Sequence, residues 1–340
     1  MLERFFKAVL CICTCLSPSF VALVLSGPAH AQKYDPNNLP RLPGAELLVA
    51  GYAPERHLLT TEDRTVKLPD SLSEAFVSIS ADGRIVGCVR PVPGSPSHDQ
   101  RRIISTYSVK DGRLTDHLEI TGFWGSATIS PDGEKMAYVT SDSPPDHFGV
   151  HLSLRLLDFK TGKVQVFSDA SGNAGEISWS PDGRRIVVDM ESHGDHGVND
   201  RSEIRTIRIV DIETGTVSEI GVGGTPSWSP SGDWIAYVGY VPTGRADSQP
   251  WSSHAGRYYA TGAFELRLMS PDGTHSRRLM RLHSGPNLKP IWSPDTQTLL
   301  FQVMDPDTGT VDIYIVDVAT GKATKRFKNV APVYGWTVAR

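Results

Sequence analysis

Histidine, acidic, arginine and aromatic residues concentrate in a few irregular stretches of the chain. His98 precedes Asp99, His147 follows Asp146, and His193-Gly-Asp195-His196 and His254 fall in further polar stretches. Imidazole and carboxylate together suit Zn or Mn, so a divalent metal or anion site is one chemistry they can supply. His193 and His196 are the weak metal candidates, because His-x-x-His in a loop has no enforced geometry. The simpler reading is that polar loops collect His and Asp as solvated turn residues, and no cofactor is expected. The stretch 241–263 adds Trp251, Tyr258 and Tyr259 beside Arg245 and Arg257. Those residue types carry much of the binding energy at protein interfaces. The alternative is that this insert folds back and buries its own aromatics. Asp305-Pro-Asp-Thr-Gly309 has the acids of a calcium loop, but the places that need Gly and a carboxylate hold Thr310 and Val316. No Gly-x-Ser-x-Gly nucleophile turn occurs, so no catalytic residue is assigned. The candidates for ligand or partner binding are therefore His98, His147, His193, Asp195, His196, Arg245, Trp251, His254, Arg257 and Tyr258.

These residues lie between the units of a repeat. Ile79-Ser-Ala-Asp-Gly83, Ile129-Ser-Pro-Asp-Gly133, Trp179-Ser-Pro-Asp-Gly183, Trp228-Ser-Pro-Ser-Gly232 and Trp292-Ser-Pro-Asp-Thr296 recur at similar spacing, each followed by a β-apolar run. Pro presets φ, Asp bonds nearby amides and Gly accepts φ > 0, so each motif reads as a tight hairpin turn. A second turn falls inside each period, as in Asp158-Phe-Lys-Thr-Gly162, Asp211-Ile-Glu-Thr-Gly215 and Asp317-Val-Ala-Thr-Gly321. Each period thus holds four antiparallel strands, A to D, which is the unit of a propeller blade. Five full blades are read between residues 75 and 328. The ends supply a sixth: 331–334 reads as its strand A, 46–52 as B, and 57–61 and 65–68 as C and D. The expected fold is all-β, a six-bladed β-propeller whose last blade is closed by both chain termini. In it the short turns share one face. The long, dissimilar B–C loops, about 91–101, 141–151, 191–201, 241–263 and 305–310, share the other. Trp179, Trp228 and Trp292, at the ends of strand A, read as wedges between blades.

The Trp-Ser-Pro-Asp-Gly-Arg-x-Ile/Leu-x-Tyr/Phe pattern resembles the Tol-type, WD-like repeats of the TolB family. Leu268-Met-Ser-Pro-Asp-Gly-Thr-His-Ser-Arg-Arg-Leu279 is similar to that family's C–D hairpin. The resemblance runs over residues 45–338 and implies a six-bladed propeller of the cell envelope, with an envelope protein or peptide, such as a Pal-like lipoprotein, as partner. TolB carries an additional N-terminal α/β domain, for which residues 32–44 are too short, so the resemblance is to the propeller alone. Similar repeats form the propeller half of prolyl-oligopeptidase-type peptidases, but the chain has no room for their hydrolase domain.

Residues 1–31 are read apart from the propeller. Arg4 and Lys7 precede an apolar run from Ala8 to Leu25, then Ala29-His30-Ala31, the order of a secretory signal peptide with cleavage between Ala31 and Gln32. The rest divides into an extended tail, 32–44, and a propeller domain, 45–340. After cleavage no stable membrane span is expected, and the location is periplasmic or secreted. The formal charge of −4 and the lack of a long basic run argue against nucleic acid. Cleavage would leave Cys88 alone, so no internal disulfide can form and a buried, unreactive thiol is expected. These readings lead to a monomeric, non-catalytic binding protein. The alternative is a metal-dependent carbohydrate-active lyase using the histidine-bearing loops.

Overall fold

The structure is a computed structural model and describes residues 40, 42, 45–51, 56–60, 65–72, 75–95, 101–141, 152–192, 204–241, 263–282, 289–304, 311–330 and 333–338. Three strands open the chain: β1 (Ala45–Gly51), β2 (Arg56–Thr60) and β3 (Thr65–Lys67). Blade I follows with β4 (Phe76–Ile79), β5 (Ile85–Pro91), β6 (Arg102–Ser108) and β7 (Leu114–Ile120). Blade II has β8 (Phe123–Ile129), β9 (Lys135–Ser141), β10 (Leu152–Asp158) and the first part of β11 (Val164–Trp179). The second part of β11 opens blade III, continued by β12 (Arg185–Ser192), β13 (Ile204–Asp211) and β14 (Val217–Val222). Blade IV holds β15 (Gly224–Trp228), β16 (Ile235–Val241), β17 (Ala263–Met269) and β18 (Ser276–Leu282). Blade V holds β19 (Ile291–Trp292), β20 (Thr298–Met304), β21 (Val311–Asp317) and β22 (Ala323–Val330). Last, β23 (Val333–Val338) pairs with β1 in the order β23-β1-β2-β3 and completes blade VI from both chain ends.

The innermost strands touch in turn, β23 to β4, β8, β11, β15, β19 and back to β23, so the ring is closed. Six buried apolar clusters hold it together, one at each blade interface. The structure is therefore the six-bladed all-β propeller that the repeat predicts.

One junction departs from the expected pattern. β11 runs unbroken for 16 residues: Val164–Gly172 pairs with β10 as strand D of blade II, and Asn173–Trp179 pairs with β12 as strand A of blade III. The segment between has neither proline nor a positive-φ residue. At the next junction the chain breaks at Gly223, which adopts a φ of 153° between β14 and β15.

The recurring turns owe their stability to their serines. Ser180 Oγ accepts the Arg185 N–H at 2.9 Å and donates to Asp182 Oδ1 at 2.5 Å, while Asp182 Oδ1 accepts the Arg184 N–H at 3.1 Å. Ser80, Ser130, Ser270 and Ser293 repeat this arrangement. Where Ser231 replaces the aspartate, Ser229 Oγ still accepts the Trp234 N–H at 3.0 Å, but the carboxylate contacts give way to a 3.2 Å hydroxyl contact with Ser229 and a 3.4 Å hydrogen bond from the Asp233 N–H.

The tryptophans wedge between blades as expected. Trp179 Nε1 donates to Thr128 O of blade II at 3.1 Å, and Trp292 Nε1 to Ser227 O of blade IV at 2.9 Å. Trp228 instead bonds Gly232 O in its own turn and receives Arg185 of blade III over its ring. Cys88 is buried at the interface of blades VI and I, and its thiol donates to Ser105 O. Burial pushes its pKa up to about 12, which makes it inert. Leu42, read from sequence as part of the tail, is packed into the apolar cluster between blades V and VI.

Candidate functional site at the channel mouth of blades III to V

Strand A begins at the face that carries the long loops and ends at the turn face. In blades II to IV its pairing with strand B shifts register partway along, at Phe123/Ala127, Ala174/Ile177 and Gly224/Ser227. Such irregularities re-aim side chains. The residues at equivalent places, three before the closing Ile or Trp, are Phe76, Ser126, Glu176, Thr225 and Lys289. Blades I and II thus offer an apolar and a small polar residue, and blades III, IV and V an acid, a hydroxyl and a cation.

Lys289 does not stay on its own blade. Its Nζ donates to the carbonyl of Ile177 on blade III, spanning blade IV. Burial pushes its pKa down, while Glu176 and Asp189 act in the opposite sense. Thr225, in the blade between, has φ of 51° and a buried hydroxyl with no hydrogen-bond partner among the described residues. A β-branched residue at positive φ is strained, and such strain tends to be kept where a site requires it.

Beneath these residues lies an ion pair. Asp189, 2% exposed, accepts Arg205 Nε on Oδ2 at 2.7 Å, and its Oδ1 has no hydrogen-bond partner among the described residues. Arg205 opens strand C, directly after the blade III loop. The pair fits because two neighbours are glycine. A Cβ on Gly175 would stand 2.0 Å from Arg205 Nη2 and 2.6 Å from Asp189 Oδ1, and one on Gly224 would stand 3.2 Å from Asp189 Oδ2. In the same place of strand B, blades I, II and IV have Val89, Val139 and Val238. An acid there departs from what packing alone selects. The arrangement combines fixed charges of both signs with unpaired polar atoms, which suits reversible polar binding.

All ten binding candidates from the sequence, His98, His147, His193, Asp195, His196, Arg245, Trp251, His254, Arg257 and Tyr258, lie outside the described residues, as do Ala31, Gln32 and the stretch 305–310. Among the described residues no three His, Cys, Asp or Glu side chains gather as a metal site would require, and no helix is long and apolar enough to cross a membrane. Sequence reading missed Glu176, Asp189, Thr225, Arg205 and Lys289. Aligning the repeats on the closing Ile or Trp of strand A sets Glu176, Thr225 and Lys289 at one place, but nothing in that alignment shows that they meet across blades, and Arg205 lies beyond a loop of unequal length.

No protein-family model matches the chain. Solved structures do match. TolB from Acinetobacter baumannii aligns with a TM-score of 0.59 at 16% identity, over 86% of this chain and 66% of that one, so this chain spans a little less than two-thirds of its length. An oligogalacturonate lyase in complex with manganese aligns with a TM-score of 0.57 at 14% identity, over 84% of this chain and 74% of that one. The β-propeller domain of the Trilobed protease from Pyrococcus furiosus, which has an open velcro topology, gives 0.54 at 13% identity, over 85% of this chain and 84% of that one. The class defined is a TolB-like β-propeller fold. The present ring differs from the open velcro topology in that β23 and β1 interlock its ends.

Proposed function

We propose that the protein is an exported propeller of the cell envelope that binds a partner protein or peptide on its loop face, above Glu176, Thr225 and Lys289. The observation that carries this reading is the asymmetry of the two faces. The turn face is occupied by turns that satisfy their own hydrogen bonds, while toward the loop face of blades III and IV the Asp189 Oδ1 and Thr225 hydroxyl are buried without a hydrogen-bond partner among the described residues. The similarity in fold to TolB supports the same reading, with a Pal-like lipoprotein as one partner to test. Residues 1–31 serve as a signal peptide cut between Ala31 and Gln32, residues 32–44 as the tail, and 45–340 as the binding domain, acting as a monomer in the periplasm or outside the cell.

The test is affinity capture from envelope extract with the mature protein, run beside a Trp251→Ala/Arg257→Ala/Tyr258→Ala variant and a Lys289→Ala variant. A partner retained by the parent and lost by these variants supports the reading, and the mass of the exported form checks the cleavage point. The similarity in fold to a manganese-bound lyase favours a second reading, with His98, His147, His193 and His196 around a metal. Stoichiometric Mn in the purified protein, lost on His193→Ala/His196→Ala and accompanied by cleavage of oligogalacturonate, would replace the first reading with the second.

A further inference from the structure

A buried acid on blade IV gathers more positive charge than it needs. Glu265, 3% exposed, lies near the loop-face end of β17. Arg267 Nη1 donates to its Oε2 at 2.7 Å, Arg278 Nη1 donates to Oε1 at 3.0 Å, and Arg281 Nε stands 3.7 Å from Oε1. Burial raises the pKa of Glu265, but hydrogen bonds from Arg278 and Arg267 outweigh it and keep the carboxylate ionised.

The three arginines are not alike. Arg267 is locked: its Nε donates to Tyr237 Oη at 3.2 Å, its Nη2 donates to Ser276 Oγ at 3.2 Å, and its Cδ fills the space over Gly239, where a Cβ would come within 2.6 Å. The side chains of Arg278 and Arg281 are 49% and 66% exposed. Glu265 is their only ion-pair partner among the described residues. One carboxylate against three guanidinium groups leaves an excess of positive charge at the surface.

These two arginines sit on β18, the outer edge of blade IV, whose outer backbone groups meet no further strand among the described residues. β18 holds Arg277, Arg278 and Arg281 and no acid. The matching edges of blades I and III carry acids instead, Asp116 and Glu119 on β7 and Glu219 on β14. β22 carries Lys325, Arg326 and Lys328, but its Lys325 pairs with the partly exposed Asp312 rather than with a buried acid, and lysine on an edge is ordinary protection against edge-to-edge pairing. Guanidinium groups held in place by a buried carboxylate present their remaining donors to a second oxyanion.

We propose that β18 and the arginines anchored on Glu265 dock an extended, acidic segment of a partner protein. The segment adds main-chain hydrogen bonds along the open edge and sets carboxylates against Arg278 and Arg281. The open edge favours a peptide over a polysaccharide, because alternating N–H and C=O groups match another backbone. The inference rests on the partner-binding reading above and specifies the chemistry of that partner.

The test uses the whole mature protein and a fluorescent peptide of alternating Glu and Val, read by anisotropy at low and physiological salt. Inorganic phosphate and an oligogalacturonate serve as competitors. Saturable binding that weakens with salt is expected. Arg278→Ala/Arg281→Ala should weaken it by about tenfold or more, as loss of charge-assisted pairs implies. Arg278→Lys/Arg281→Lys, which keeps the charge and guards against misfolding of the alanine variant, should fall between. Absence of binding, or equal binding by both variants, overturns the proposal. Arginine-dependent binding of the oligogalacturonate tighter than that of the peptide also overturns it, in favour of a polysaccharide. If the peptide fails while envelope capture still yields a partner, the docking strip is wrong and the partner-binding reading stands.

Discussion

The Gln302 carboxamide clasps the backbone of Val333 from two directions. Its Nε2 donates to the Val333 carbonyl at 2.9 Å, and the Val333 N–H donates to its Oε1 at 2.8 Å. Gln302 is 1% exposed on blade V, and Val333 begins the C-terminal strand of blade VI, so one side chain joins the last complete blade to the returning chain end. Blades I, II and IV have Val89, Val139 and Val238 in the corresponding place. Gln302→Val should therefore pack but leave a buried N–H and C=O unpaired. The expected loss is about 2–4 kcal/mol in denaturant unfolding, with limited proteolysis removing the C-terminal strand first. Unchanged stability would show that this clasp contributes nothing to closure.

Asp189 permits a cleaner separation of function from stability. Asp189→Val alone removes the buried carboxylate that Arg205 Nε donates to and should cost about 3 kcal/mol, as breaking a buried pair does. Asp189→Val with Arg205→Met removes both charges and should recover most of that cost. If the double variant melts like the parent but no longer retains the partner, the ion pair serves binding.

Acid sensitivity follows from the turns. Hydrogen bonds from Ser270 and then Thr274 hold Asp272 down to about 2, and Asp182, Asp211, Asp295 and Asp317 are also lowered by turn contacts. A carboxyl group with a depressed folded value contributes stability above its unfolded value and loses it as pH falls through the folded one. The melting temperature should hold steady above about pH 4 and fall steadily toward pH 2. Asp272→Asn should flatten part of that slope, and an identical slope in the variant would remove Asp272 from the account.

Ser180→Ala removes an acceptor for the Arg185 N–H and the donor to Asp182. A loss of about 1–2 kcal/mol is expected in urea unfolding. Ser229→Ala should cost less, because Ser231 offers its neighbour only a long hydroxyl contact. Equal losses would mean that the aspartate adds nothing.

Cys88 should resist iodoacetamide in the native protein and react only on unfolding, since burial holds the thiol near pKa 12. Labelling without unfolding, followed by mass spectrometry, would show that blades VI and I separate on their own.

The fold was legible because its information is local. Ser-Pro-Asp-Gly specifies a turn through hydrogen bonds among a few consecutive residues, and its recurrence counts the blades. The pairing of Glu46-Leu-Leu with the C-terminal run was legible for the same reason, as a B strand lacking its A. The channel-mouth residues were not. A single Glu, Thr or Lys inside a β-run reads as a solvent-facing residue until the ring brings three blades together, and only the reach of Lys289 to Ile177 shows that they share a space. Asp189 was hidden similarly, by standing where blades I, II and IV have valine. The continuous β11 was signalled only by missing breakers, which single no residue out.

The pairing of Ala45 with Val338 has a practical reach beyond ring closure. Strands A and B of blade VI stand side by side where other blades have a covalent hairpin turn, so a few added residues could join 338 to 45 directly. New ends could then be opened at any of the long loops. A permuted chain of this kind would move the gap in connectivity from blade to blade and allow reporter groups to be attached at either rim without crossing the channel.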